Sequence, residues 1–127
     1  MPTSFAYPYG SVSLIARHAL KARFSSCRGT GEGLNNGTAD LADLRVTALF
    51  GHLFDEAAIR QTIDEARARN GWVIFYTHDV TDQPSEWGCT PAQLETVAAY
   101  VAGGMDVFPV RDVVARFGAS GAGRLAV

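Results

Sequence analysis

Residues Gly71 to Val80 constrain the fold more than any other stretch. Gly71-Trp72-Val73-Ile74-Phe75-Tyr76-Thr77-His78-Asp79-Val80 follows a long helical pattern, opens on a chain breaker and runs almost unbroken through apolar and β-branched residues. An apolar run of this length behind a breaker reads as a buried strand, here 72–77. It ends in His78 and Asp79, at the strand end where α/β sheets carry their chemistry. An imidazole in that position also serves as a hydrogen-bonded structural group, so the flanking segments must decide its role.

The segment before this strand is the clearest helix. Over 55–70, Ala58, Ile59, Thr62, Ile63 and Ala66 recur at helical spacing, and Asn70-Gly71 supplies the stop. Glu56 and Arg60 sit at i,i+4. Helix, tight glycine and buried strand make half of a βαβ unit. After the strand, 80–89 is a polar loop with a proline, a glycine and Trp87, long enough to serve an active site. Trp87 suits a cleft wall, a stacking surface for a sugar ring or a plug at the core edge. Thr90-Pro91-Ala92-Gln93 is a capping box with proline at the first helical position. It opens a helix over 91–102 with Leu94, Val97, Ala98 and Val101 on its buried stripe. A short strand over 106–108 is expected beside 72–77 and parallel to it, followed by a helix over 111–117 with Val113, Val114 and Phe117 inward. The tail 118–127 is expected to fray.

The first half is less regular. Phe5-Ala6-Tyr7-Pro8-Tyr9-Gly10 is an extended aromatic run that turns at its end. Ser11 is placed to cap a helix over 12–22 that buries Val12, Ile15, Ala16 and Ala19. Phe24 to Cys27 is a short strand candidate. Arg28 to Gly37, with four glycines in ten residues, breaks regularity and reads as a loop. It matches neither the dinucleotide fingerprint nor a Walker loop. Arg28 is either a surface arginine or a planar donor fork for a carboxylate or substrate oxygen. Residues 45–50 form a further short strand, and His52 follows in a connection.

Several function classes are excluded by simple counts. A net charge of -2 gives no basic excess for a nucleic-acid backbone. No apolar run is long enough to span a bilayer. The N-terminus lacks the basic and apolar regions of a signal peptide, and the expected location is cytoplasmic. Cys27 and Cys89 specify neither a disulfide framework nor a zinc knuckle. The expected class is therefore α/β, with parallel strands joined by crossover helices.

Three stretches resemble the C-terminal half of the polysaccharide deacetylase family, the NodB-homology domain of carbohydrate esterases. Phe5 to Gly10 is similar to the strand end with an Arg-x-Pro-Tyr-Gly-like sequence. Gly71 to Asp79 resembles the strand carrying the catalytic histidine. Thr90-Pro91-x-x-Leu94, with Tyr100, Gly104 and Val107, resembles the closing helix and strand. The likeness spans about residues 3–117, which the domain 1–117 would comprise. It implies the C-terminal part of a distorted (β/α) barrel whose N-terminal strands are absent, and hydrolysis of N- or O-acetyl groups on a carbohydrate. It further implies His78 as general acid, the backbone N–H of Tyr9 as oxyanion donor, and substrate contacts at Trp87 and Pro8. Asp79, pointing away from His78 by strand alternation, is expected to orient the loop.

The departures define what is missing. The family's arginine falls on Ala6, so Arg28 is the candidate to replace it. The Asp-Asp and His-x-x-x-His motifs of base and metal ligands have no counterpart, and His18 and His52 have no ligand partner at fixed spacing. The chain is therefore expected to assemble no cofactor alone. A divalent metal, commonly zinc, would come only with a separate N-terminal half. Self-association, and a non-catalytic carbohydrate-binding or structural remnant, stand as alternatives. A thiol enzyme using Cys27 or Cys89 with His78 is a third, without a nucleophile signature.

Overall fold

The computed structural model describes residues 1–119. The order is β1 (Ser4–Ala6), α1 (Leu14–Lys21), β2 (Ser26–Glu32), β3 (Leu44–Ala48), α2 (Glu56–Ala68), β4 (Phe75–Tyr76), α3 (Pro91–Ala102) and α4 (Val110–Ala119). Single 3-10 turns lie at Pro8–Gly10 and Gly51–Leu53. The strands form one sheet in sequence order, β1-β2-β3-β4, and each pairing is parallel. Helices α1 and α2 make two of the long crossovers that parallel neighbours require; β2 reaches β3 through the irregular segment 33–43. The sheet is curled, because its edge strands β1 and β4 line the same cleft of about 500 Å³. The architecture is a distorted, open half-barrel of α/β type.

Two hydrophobic clusters hold it. Leu44 and Val46 of β3 pack with Ile74, Trp72, Tyr76 and Val110 on the concave side. Leu49 joins Ile59 and Ile63 of α2, Val97 of α3 and Cys89 on the helix-covered side. The α2 stripe is the one its spacing predicts, and Asp55 caps the helix by accepting from the N–H of Ala58. The capping box of α3 forms in both directions between Thr90 and Gln93. Gly71 N–H donates to Ala66 O at 2.7 Å, closing α2 as its Asn-Gly stop requires. Tyr7 inserts its ring beside β2 and donates its hydroxyl to Ala42 O at 2.9 Å, a buried hydrogen bond that ties β1 to the approach of β3.

Four expectations are corrected. The glycine-rich stretch is not wholly a loop: β2 runs through Gly29 and Gly31 to Glu32. A strand paired on both sides gains ladder bonds that outweigh poor intrinsic propensity, and a Cβ on Gly29 would stand 2.7 Å from Asp43 Oδ1, so the Asp43 side chain would have to move to admit one. The register slips between Arg28 and Glu32, as a bulge does. The 72–77 strand is shorter and less buried than its composition predicts; only Phe75–Tyr76 join the ladder, and only Ile74 is buried. The reason is position, since β4 is an edge.

The α1 helix is capped by Ser13, not Ser11, and none of its residues is buried. Ile15 is 85% exposed because β1 is an edge with no further strand and helix beyond it. Finally, 106–108 forms no strand, and the expected parallel pairing with 72–77 does not occur. Val113 and Val114 are buried as their spacing predicts. Gly118 and Ala119 belong to α4. The rest of the expected frayed tail, 120–127, and the side chain of Phe117 lie outside the described residues. No helix among the described residues is long and apolar enough to cross a membrane.

Ile63 is wholly buried between the sheet and α3. Ile63→Ala is expected to cost about 3 kcal/mol of unfolding free energy, read as a lower urea midpoint. An unchanged midpoint would place the main core elsewhere.

Candidate functional site

Parallel strands bring all their C-terminal ends to one rim. The strands β3 and β4 end there in matching sequences, Phe50-Gly51-His52 and Tyr76-Thr77-His78. Phe50, buried, is the hub. Its ring stacks on His52 (centroids 6.3 Å, interplanar 5°) and meets Tyr76, His78 and Trp87 edge-on at 5.3, 6.2 and 5.3 Å. His52 and Trp87 meet edge-on at 6.2 Å. Edge-to-face contact of this kind is the preferred arrangement of aromatic quadrupoles. His52, His78 and Trp87 are exposed on the outer side of the hub.

Backbone hydrogen bonds fix the rim. His78 N–H donates to Trp87 O at 3.0 Å, and Gly51 N–H donates to Gly88 O at 2.7 Å. Gln93 Nε2 donates to Gly51 O at 3.3 Å, so the cap of α3 also holds the His52 turn. Asp79 organises the 80–89 loop, as expected. Its carboxylate accepts from Ser85 Oγ at 2.5 Å and from Ser85 N–H at 2.9 Å, and Cys89 N–H donates to its carbonyl at 2.9 Å. The Ser85 hydrogen bonds hold the Asp79 carboxyl below its ordinary value, with a smaller contribution from His78. Gly88 is required here, since a Cβ would lie 2.2 Å from Asp79 Oδ1.

Arg28 lies on the concave side. Its guanidinium carbon stands 5.1 Å from the Tyr76 ring centroid, a cation–π distance. Its side chain donates to Gly29 O at 3.3 Å, and it forms no ion pair among the described residues. In the β1–β2 register the partner of Arg28 is Ala6, and both line the cleft together with Tyr76. Burial raises the Tyr76 phenol, Glu32 adds to the rise, and Arg28 opposes it.

The proposed residues thus fall into separate groups. His78 and Trp87 meet around Phe50, and Arg28 joins them through Tyr76. Pro8 and Tyr9 sit on the same rim but at the end of β1, with β2 and β3 in between. Tyr9 adopts a left-handed conformation (φ 55) with its side chain fully exposed. Cys27 and Cys89 are 1% and 0% exposed, and burial raises the Cys27 thiol, so neither is placed for nucleophilic attack. The divalent metal implied by the resemblance needs three protein ligands. Among the described residues no group of three or more His, Cys, Asp or Glu stands together. The residues present do not fit that metal.

Sequence periodicity does not single out Phe50, and it places His52 only in a connection. The signal was present, because aromatic-x-His recurs at the ends of two successive strands. The proximity of Glu32 to Tyr76 is hidden in the sequence, because the glycine-rich stretch reads as a loop. Compared with protein-family models, curated proteins and solved structures, the chain finds no match in any of the three.

Asp79 has a lowered pKa, so its hold on the loop is complete above the ordinary aspartate value near ~3.9 and is lost as pH falls through the lower, folded value. The Ser85 amide resonance should titrate with a midpoint below that of a free aspartate, and Asp79→Asn should abolish the titration. A midpoint at or above the free value would contradict the assigned hydrogen bonds. Both cysteines should resist iodoacetamide in the native protein and react after denaturation; rapid native labelling would reopen the thiol reading.

Proposed function

We propose that the rim around Phe50 binds carbohydrate, as the substrate-binding part of a polysaccharide-deacetylase-like domain. The observation that carries this reading is the juxtaposition of an exposed indole, two exposed imidazoles and a buried aromatic hub at the C-terminal end of parallel strands. A sugar ring offers one apolar face and a fringe of hydroxyls. Trp87 suits the apolar face, and His52 and His78 offer donors and acceptors for hydroxyls and an acetamido group. His78 is the proton donor to a leaving amine in this reading, the general-acid role that an imidazole most often fills. Arg28, beside Ala6 in register, supports its assignment to the role of the arginine absent from that position.

In this reading the base and metal ligands come from outside the chain described, so the chain alone performs no hydrolysis. The second reading, a non-catalytic carbohydrate-binding module, is favoured by the lack of any three-ligand cluster among the described residues. A longer product in the source cells carrying the Asp-Asp and His-x-x-x-His motifs would select the first; a product of this length would select the second.

Titration with an N-acetylated oligosaccharide should shift the resonances of His52, His78 and Trp87. Trp87→Ala should weaken binding ~10-fold, about 1.4 kcal/mol. With zinc added, the chain alone should release no acetate. Absence of any sugar-induced shift rejects both readings, and acetate release rejects the need for outside ligands.

A further inference from the structure

The cleft on the concave side of the sheet holds chemistry that the rim does not use. Its volume of about 500 Å³ is that of a small-molecule pocket. The parallel register lines it in layers. Ser4 pairs with Ser26; two residues nearer the rim Ala6 pairs with Arg28, which pairs in turn with Leu44 of β3. Ile74 and Tyr76 line it from the β4 side, and Val110, the first residue of α4, lines it as well.

Arg28 is the one charged residue among those that line the cleft. A guanidinium carries several N–H donors in a planar fork. Arg28 spends one hydrogen bond on Gly29 O at 3.3 Å and lies 5.1 Å from the Tyr76 ring centroid. Arg17, Arg60, Arg67, Arg69 and Arg111 each have a carboxylate at ion-pair distance. Half-buried Arg28 has none among the described residues. A charge drawn out of water is costly unless an opposite charge or hydrogen bonds offset it. The remaining donors of Arg28 are therefore a receptor for an anion.

The surroundings select which anion. Glu32 lies outside the lining and accepts from Ala48 N–H at 3.3 Å, yet its charge acts on the Tyr76 phenol. With one cation present and that carboxylate nearby, a monoanion is favoured over a phosphate dianion. Asp112, in the first turn of α4, pairs with Arg111 at 3.4 Å. The other walls, Ala6, Leu44, Ile74 and Val110, are apolar. The Ser26 hydroxyl donates to that of Ser4 at 3.0 Å, so the far end of the cleft is already satisfied. From Ser4 to Ala6 the strand rises about 6.6 Å, room for one ring or a short alkyl chain.

We propose that this cleft binds a small monocarboxylate with a compact apolar body. The carboxylate meets the Arg28 fork in two parallel N–H···O bonds, a match that a neutral amide does not offer. The body lies along Leu44, Ile74 and Tyr76. The proposal does not rest on sugar binding at the rim, which Trp87 and His52 report from the other side of Phe50.

The test is an NMR titration of the full chain with phenylacetate, its neutral counterpart phenylacetamide, and inorganic phosphate. Phenylacetate should give saturable shifts at Ala6, Arg28, Ile74 and Tyr76. Phenylacetamide should bind at least ~10-fold more weakly, and phosphate should give no saturable shift at these residues. Arg28→Met keeps the length of the side chain and should remove most of the difference between the two organic probes; Arg28→Lys should restore only part of it. Circular dichroism checks that the variants fold, and the three probes on the unmodified chain decide the matter without them. The proposal is overturned by equal affinity for acid and amide, by phosphate binding as tight as phenylacetate, or by phenylacetate shifts that do not saturate or that centre away from the cleft. Absence of sugar-induced shifts at His52, His78 and Trp87 bears on the rim alone, so the two readings fail separately.

Discussion

The structure depends on β3 being covered from both sides. Leu44 and Val46 meet the concave cluster, and Leu49, one residue past the strand, meets the helix-covered one. A five-residue strand holds only if both faces exclude water. The α2 stripe, the α3 cap and the β4 edge are arranged around that requirement. The rim inherits it, since Phe50 is fixed by the same strand two residues after its last ladder residue, and four aromatic or imidazole rings arrange themselves around Phe50.

Rigidity at the rim comes from polar groups, not from further apolar burial. The Asp79–Ser85 pair, the Gly51–Gly88 and His78–Trp87 backbone bonds, and the Gln93 side chain tie three loops into one body. Trp87 can therefore stay exposed without being mobile through its backbone. The same economy explains Gly88: the loop passes so close to Asp79 that no side chain fits. A surface that holds aromatic rings in place at low conformational cost is suited to binding a ligand with alternating apolar and polar faces.

The deacetylase likeness and the structure meet at some points and part at others. The register that puts Arg28 beside Ala6 supports the proposed replacement, and His78 ends its strand on the expected rim. Against that, Tyr9 sits at the end of β1, with β2 and β3 between it and β4, and the expected strand at 106–108 does not form.

Local chemistry determined a large part of this protein. The α2 and α3 helices, their caps and stops, the parallel α/β class and the loop-ordering role of Asp79 were legible from spacing and residue type, because each depends on neighbours within a few positions in sequence. Tertiary structure alone decided the rest. Arg28 to Glu32 became a strand because partners on both sides supplied ladder bonds that no local propensity reveals. The apolar face of α1 stayed exposed, and β4 shrank to an edge, because burial needs a neighbour and sequence periodicity only advertises the demand for one. Phe50 became the centre of the site because parallel pairing set two distant aromatic-x-His endings side by side, a contact between residues 26 positions apart that only the fold creates.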